Sequence, residues 1–126
     1  MNVLDVGSVL YILNGQIEPQ NYKYMVCVLV RDNLFFCINT ENRKMYECLA
    51  ITKKNNPFLE YDSYLSCNRT FQFDSQQLKS AQLVGHLGYD DLVSLYNHIK
   101  DSVKTLPKKE KEQILLSIQG ALEDYE

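Results

Sequence analysis

Apolar runs separated by turn residues dominate the first two thirds of the chain. The run GSVLYIL at 7–13 contains β-branched and aromatic residues and ends at an Asn-Gly pair, which predicts a strand and a turn. The run YMVCVLV at 24–30 is continuously apolar, which is typical of a central strand buried on both faces. A polar turn at 31–33 leads to LFFCIN at 34–39, so these two strands are predicted to pair antiparallel.

Shorter runs continue the strand pattern. The stretch at 40–47 is charged and mixed, and fits a solvent-facing connection or a twisted strand end. CLAIT at 48–52 is β-like, and KKNNPF then breaks the structure because Pro57 has no amide proton. SYLSC at 63–67 and RTFQF at 69–73 alternate in polarity, which predicts two further strands. Turns recurring about every 8 to 12 residues indicate a small barrel or curled sheet.

Helical periodicity replaces this pattern after residue 85. One apolar stripe consists of Leu92, Leu95, Tyr96, Ile99 and Val103. Pro107 is tolerated in the first turn of a second helix, whose stripe is narrower. The members of that stripe are Ile114, Leu115, Ile118 and Leu122. We therefore expect one domain over residues 1–126, with a β-barrel at about 5–85 followed by α-helices at about 89–105 and 107–123.

Composition limits the possible functions. The net charge of −3 gives no global attraction to nucleic acid, so a site for a polyanion has to be a local patch. The four cysteines include no Cys-x-x-Cys pair and three lie in apolar runs, which favours buried free thiols over a disulfide or a zinc site. No signal peptide or membrane-length apolar run is present, so a cytoplasmic location and no membrane partner are expected.

No familiar catalytic motif is complete in the sequence. The chain has no Gly-rich phosphate loop, no Gly-x-Ser-x-Gly elbow and no His-Glu-x-x-His. Nucleotide-driven chemistry, serine hydrolysis and zinc proteolysis are therefore not supported, and no metal or cofactor is expected.

The stretch at 48–67 carries the strongest candidate binding residues. Basic residues flank its first strand, amides suit phosphate or ribose, and tyrosines offer stacking faces for unpaired bases. The candidates are Lys53, Lys54, Asn55, Tyr61, Asp62 and Tyr64. The alternative is a solvated loop with ordinary surface lysines, in which Asp62 only bonds nearby backbone amides. His86, between two nearby glycines, is a weaker candidate for which a surface or capping role is the alternative.

Five segments resemble, in order, the MazF/PemK-like toxin family. They are VGSVLYI, NYKYMVCVLV, LAITKK, SYLSC and VGHLGYDDLVSLYNHI, and together they span residues 5 to about 105. The resemblance implies a small SH3-like β-barrel covered by one or two C-terminal α-helices. It further implies metal-independent cleavage of single-stranded RNA, a homodimer, and an antitoxin protein as a partner.

One position departs from the family pattern. The family opens its central strand with an Arg-Pro pair whose arginine is catalytic, whereas this chain has Tyr24 and Met25, preceded by Lys23. Thr52 occupies the family's threonine position. The resemblance thus implies Lys23, Thr52 and Tyr24 as catalytic residues, although lysine lacks the planar fork with which arginine binds phosphate.

Two hypotheses from different classes follow. The first is a toxin-like, metal-independent endoribonuclease of a toxin-antitoxin or phage-defence system. The second is a catalytically silent SH3-like barrel that acts as a protein-binding or nucleic-acid-binding regulatory module.

Overall fold

The computed structural model describes residues 4–125. The strands are β1 (Ser8–Asn14), β2 (Asn21–Leu29), β3 (Leu34–Asn39), β4 (Leu49–Ile51), β5 (Ser63–Gln72) and β6 (Gln82–His86). The helices are α1 (Ser75–Ser80), α2 (Tyr89–Ser102) and α3 (Lys108–Glu123), with one 3-10 turn at Lys44–Tyr46. The prediction of a mainly β chain with C-terminal helices is confirmed.

All six strands form one antiparallel sheet in the order β4-β5-β3-β2-β1-β6. The predicted pairing of the second and third strands is confirmed, since Met25 lies opposite Cys37 and Leu29 opposite Leu34. Within β2, residues 25–29 are all buried, as the continuous apolar run predicted. This strand is therefore interior, and β4 and β6 are the edges of the sheet.

Alternate side chains of the central strands enter two separate apolar clusters. Val26 and Phe36 pack in the main core together with α2 and α3. Met25 and Phe35 point to the other face, where Phe35 meets Phe73 edge-on with ring centroids 5.5 Å apart. The helical residues that complete the main core are Leu92, Leu95, Ile99, Val103, Ile114 and Ile118.

The cysteines are free thiols, as predicted. Cys27, Cys37 and Cys67 are buried, and Cys48 is half-buried. Burial disfavours the charged thiolate and raises the pKa of Cys27 to about 12. The thiols therefore pack as small apolar groups.

The segment at 63–86 differs from the prediction in two ways. The two expected strands are one strand, β5, whose register shifts between Phe71, opposite Phe35, and Ser66, opposite Cys37. The extra residues bulge out of the ladder and interrupt the alternation, which explains the apparent gap in the sequence. Helix α1 and strand β6 were not predicted, because α1 is short and polar and β6 is an edge strand with mostly exposed residues.

Glu47 ties the connection between β3 and β4 to the helices. Its carboxylate accepts hydrogen bonds from the backbone amides of Lys104, at 2.7 Å, and Thr105, at 3.2 Å. Its backbone carbonyl accepts one from His98 Nε2 at 2.7 Å. The stretch at 40–47 is thus a connection, and His98 has a structural role.

The sheet curls so that the loop after β4 reaches the opposite edge strand. Phe58 of this loop lies against Gly85 of β6, where a Cβ atom would be only 2.5 Å from Phe58 Cδ1. The same ring meets Tyr24 of β2 at a centroid distance of 5.6 Å. Glycine at position 85 is therefore required for the close approach of Phe58.

We predict that Gly85→Ala lowers the free energy of unfolding by about 1–3 kcal/mol, because the added methyl group displaces Phe58. The matched control is Gly120→Ala in α3, where the added atom meets nothing within 4 Å. That change should raise the stability by about 0.5–1 kcal/mol, since alanine restricts the unfolded chain. Urea unfolding measures both, and equal effects would contradict the proposed contact.

Candidate functional site

A groove opens at the end of the sheet where β2 begins and β3 ends. It has a volume of about 250 Å³. Its lining residues are Tyr11, Tyr22, Lys23, Tyr24, Ile38, Asn39, Thr40, Leu59, Glu60, Tyr61 and Ser63. We call it the tyrosine groove, since four of these residues are tyrosines from β1, β2 and the loop before β5.

Strand register assembles the tyrosines into a row. Tyr11 lies directly opposite Tyr24 in the β1–β2 pair, with ring centroids 5.1 Å apart. Tyr22, two residues before Tyr24, stacks on Tyr11 at 5.3 Å and an interplanar angle of 23°. Side chains in directly opposite and diagonal positions on one face of a strand pair are close enough for such contacts. Tyr22 is 52% exposed and Tyr61 64% exposed, so aromatic faces are open to solvent.

Lys23 and Asn39 lie at the centre of a larger surface feature. Both residues line the tyrosine groove and also two adjoining depressions, each of about 280 Å³. The first depression adds Arg43, whose guanidinium is paired with Glu41 at 2.8 Å. The second adds Arg69 from the bulged part of β5. The three depressions thus meet around the ends of β2 and β3.

Two of the three predicted catalytic residues are in the groove. Lys23 and Tyr24 line it together with Tyr61, which the sequence placed among the binding residues. Thr52 is not among its lining residues. The Thr52 side chain instead accepts a hydrogen bond from the backbone amide of Asn55 at 3.2 Å, which holds the turn after β4.

The remaining candidates from 53–64 hold or border that loop. Asp62 accepts a hydrogen bond from the backbone amide of Lys53 at 2.9 Å, which is the turn-stabilising alternative considered for this carboxylate. Lys53, Lys54 and Asn55 are exposed on the turn, outside the groove lining. Tyr64 is half-buried in β5, opposite Asn39 and Ala50.

Asn56, which from the sequence was a hydrogen-bonding group suited to phosphate or ribose, anchors the loop instead. Its side-chain amide is 1% exposed and donates hydrogen bonds to the Thr52 carbonyl at 2.9 Å and to Asp91 Oδ2 in α2 at 3.0 Å. The loop that forms one wall of the groove is therefore fixed to the helical layer. A buried asparagine just before proline has no sequence signature for this role.

His86 lies in a different depression, far from the tyrosine groove. That depression, of about 420 Å³, is lined by Asp5, Val30, Ser117 and Tyr125 among others. On β1, Ser8 is opposite His86 and Ile12 is opposite Lys23, a separation of about 14 Å along the strand. His86 Nδ1 is 2.6 Å from the Leu87 carbonyl oxygen.

Two general findings concern residues 4–125. No group of three or more histidine, cysteine, aspartate or glutamate side chains in this range is arranged to hold a metal ion. Nor does any helix in the same range have the length and apolar character needed to cross a membrane.

Four residues of these depressions were not recognised from the sequence, namely Tyr11, Tyr22, Asn39 and Arg69. A signal for the tyrosines was present, because Tyr22 and Tyr24 have the two-residue spacing of one strand face. Placing Tyr11 beside them required the β1–β2 register. Arg69 became recognisable only with the bulge that brings it to the end of β2.

We predict that Thr52→Val lowers the free energy of unfolding by about 0.5–1.5 kcal/mol, because the Asn55 amide loses its acceptor. Thr52→Ser keeps the hydroxyl group and should retain most of the stability. Chemical denaturation of the two variants measures the difference, and an unchanged stability in Thr52→Val would contradict the structural role.

No protein-family model matches this chain, and no curated protein matches it either. The MazF/PemK-like resemblance therefore stays a prediction drawn from the sequence. The tyrosine groove and the depressions that share Lys23 and Asn39 supply the observations from which a function can be proposed.

Proposed function

We propose that the protein binds single-stranded RNA in the tyrosine groove. The observation that carries the proposal is the row of Tyr22, Tyr11 and Tyr24, of which Tyr22 is 52% and Tyr11 38% exposed, in a groove that Lys23 also lines. Proteins that hold unpaired nucleic acid combine such aromatic faces with positive charge along the backbone path.

The groove offers base recognition as well as stacking. A base stacked on an aromatic side chain contributes about 1–3 kcal/mol, whatever its identity. Asn39 and Thr40 line the same groove and supply an amide and a hydroxyl group for base edges or for the ribose 2′-hydroxyl. An unpaired strand meets these requirements, whereas a duplex hides its base faces.

Local charge supports the same occupant. The chain as a whole carries −3, so attraction to RNA must come from a patch. Neither Lys23 nor Arg69 forms an ion pair within residues 4–125, and both line the depression that adjoins the groove. Their charges are therefore available to phosphate.

Metal-independent RNA cleavage is a second candidate, favoured by Lys23 and Glu60 lining one groove. A carboxylate can accept the 2′-hydroxyl proton, so that the 2′-oxygen attacks phosphorus while an ammonium group stabilises the charge on the phosphorane. The P–O5′ bond then breaks, and the leaving 5′-oxygen takes a proton from the ammonium group or from the protonated carboxylic acid. In this proposal the curled sheet is an SH3-like barrel of the MazF/PemK type, with Lys23 in place of the arginine. Binding is the first choice because the Thr52 hydroxyl is engaged in a turn outside the groove.

We predict that Tyr22→Ala weakens binding of a fluorescein-labelled octauridine by about tenfold, since one stacking face is lost. The matched control is Tyr125→Ala, because Tyr125 is also 52% exposed but lies in the depression that contains His86. Fluorescence anisotropy in a metal-free buffer measures both. Equal affinities for the two variants, or no binding by the unmodified protein, would refute the proposal.

RNA cleavage is tested separately from RNA binding. Incubation of end-labelled, mixed-sequence RNA with the protein and a chelator should produce fragments with 2′,3′-cyclic phosphate ends if Lys23 acts in cleavage. The Lys23→Gln variant should then be inactive. Intact RNA that nevertheless binds the unmodified protein would leave binding as the function.

A further inference from the structure

The second depression beside the tyrosine groove has the composition of an anion site. We call it the basic depression. Its lining residues are Ile17, Glu18, Lys23, Cys37, Asn39, Tyr46, Ser66, Asn68, Arg69 and Phe71. Two cations, two amides and two hydroxyl groups thus share the depression with a single acidic side chain, Glu18.

The guanidinium of Arg69 is held in place by an aromatic ring. Its Cζ atom lies 4.2 Å from the centroid of the Phe71 ring, which is itself buried. A guanidinium that contacts an aromatic ring can still bind phosphate oxygens in a bidentate manner through its N–H edges. The position of Arg69 on the bulge of β5 turns the charge toward the depression.

Lys23 approaches the same space from the neighbouring strand. Cys37 of β3 lies at the floor, where burial raises the pKa of its thiol to about 11 while the nearby charges of Lys23 and Arg69 oppose that rise. The charges of Lys23 and Arg69 therefore both reach the Cys37 thiol. Two positive groups beside the single carboxylate of Glu18 leave an excess of positive charge, which favours a bound anion.

Neutral donors complete the depression. The Asn39 side-chain amide donates to Ser66 Oγ at 2.7 Å, so the hydroxyl proton of Ser66 remains available for a second partner. Asn68, half-buried on the bulge, adds another amide. Hydrogen bonds from such groups orient a phosphate that the two cations attract.

We propose that the basic depression binds a backbone phosphate of the RNA strand whose bases stack in the tyrosine groove. This inference rests on the proposed function, and it assigns a second part of the strand to the opposite face of the sheet. Lys23 and Asn39 line both features, so the strand passes around the ends of β2 and β3. Arg69 lines the basic depression but not the tyrosine groove.

The first test is the affinity of Arg69→Gln for labelled octauridine. Loss of one charge-assisted contact should weaken binding about tenfold and reduce the salt slope of log K by about 0.7. Arg31→Gln is the matched control, because Arg31 is exposed and paired with Asp32 in the turn between β2 and β3. Glu18→Gln should tighten binding about twofold, because it removes the acidic group that opposes the anion. All of these variants should remain folded, and thermal unfolding of each variant checks this.

A titration with inorganic phosphate separates the two proposals. Phosphate should shift the backbone amide signals of Ser66 and Asn68 in NMR spectra of the unmodified protein but not of Arg69→Gln. If octauridine fails to bind and phosphate still gives these shifts, the anion site stands and RNA binding is wrong. If octauridine binds the unmodified protein and Arg69→Gln with the same affinity and the same salt dependence, the phosphate site is wrong and the tyrosine groove stands.

Discussion

Burial of β2 on both faces is the constraint on which the rest of the structure depends. Residues 25–29 are all buried, so the strand must lie inside the sheet with an apolar cluster against each face. Near its beginning, Tyr22, Lys23 and Tyr24 precede the part of the strand that is buried on both faces. The candidate site is therefore the polar beginning of a strand that is buried on both faces, which gives it a rigid base.

The curl of the sheet provides the other wall of the site. Phe58 reaches Gly85 on the far edge strand and also contacts Tyr24, so the loop after β4 closes over the end of the sheet. Asn56 holds this loop through hydrogen bonds of its buried side chain. Asp62 holds it through a hydrogen bond from the backbone amide of Lys53. The positions of these two polar residues are thus explained by their role in stabilising the loop, and not by catalysis.

Much of the fold could be predicted from the sequence, because long apolar runs and helical stripes are strong local signals. The central strands and both C-terminal helices were found within a few residues of their observed ends. The bulge in β5 and the edge strand β6 were not, since a register shift and an exposed edge leave no regular pattern. In the site, Lys23, Tyr24 and Tyr61 were recognised, whereas Tyr11 and Arg69 needed strand register, which no local pattern contains.

We propose that single-stranded RNA occupies the end of the sheet around Lys23. The most direct measurement is an NMR titration of the isotopically labelled protein with octauridine, followed at every backbone amide. We expect the largest shifts at Tyr11, Tyr22, Lys23, Asn39 and Tyr61, which line the tyrosine groove. An absence of shifts, or shifts confined to the depression around His86, would contradict it.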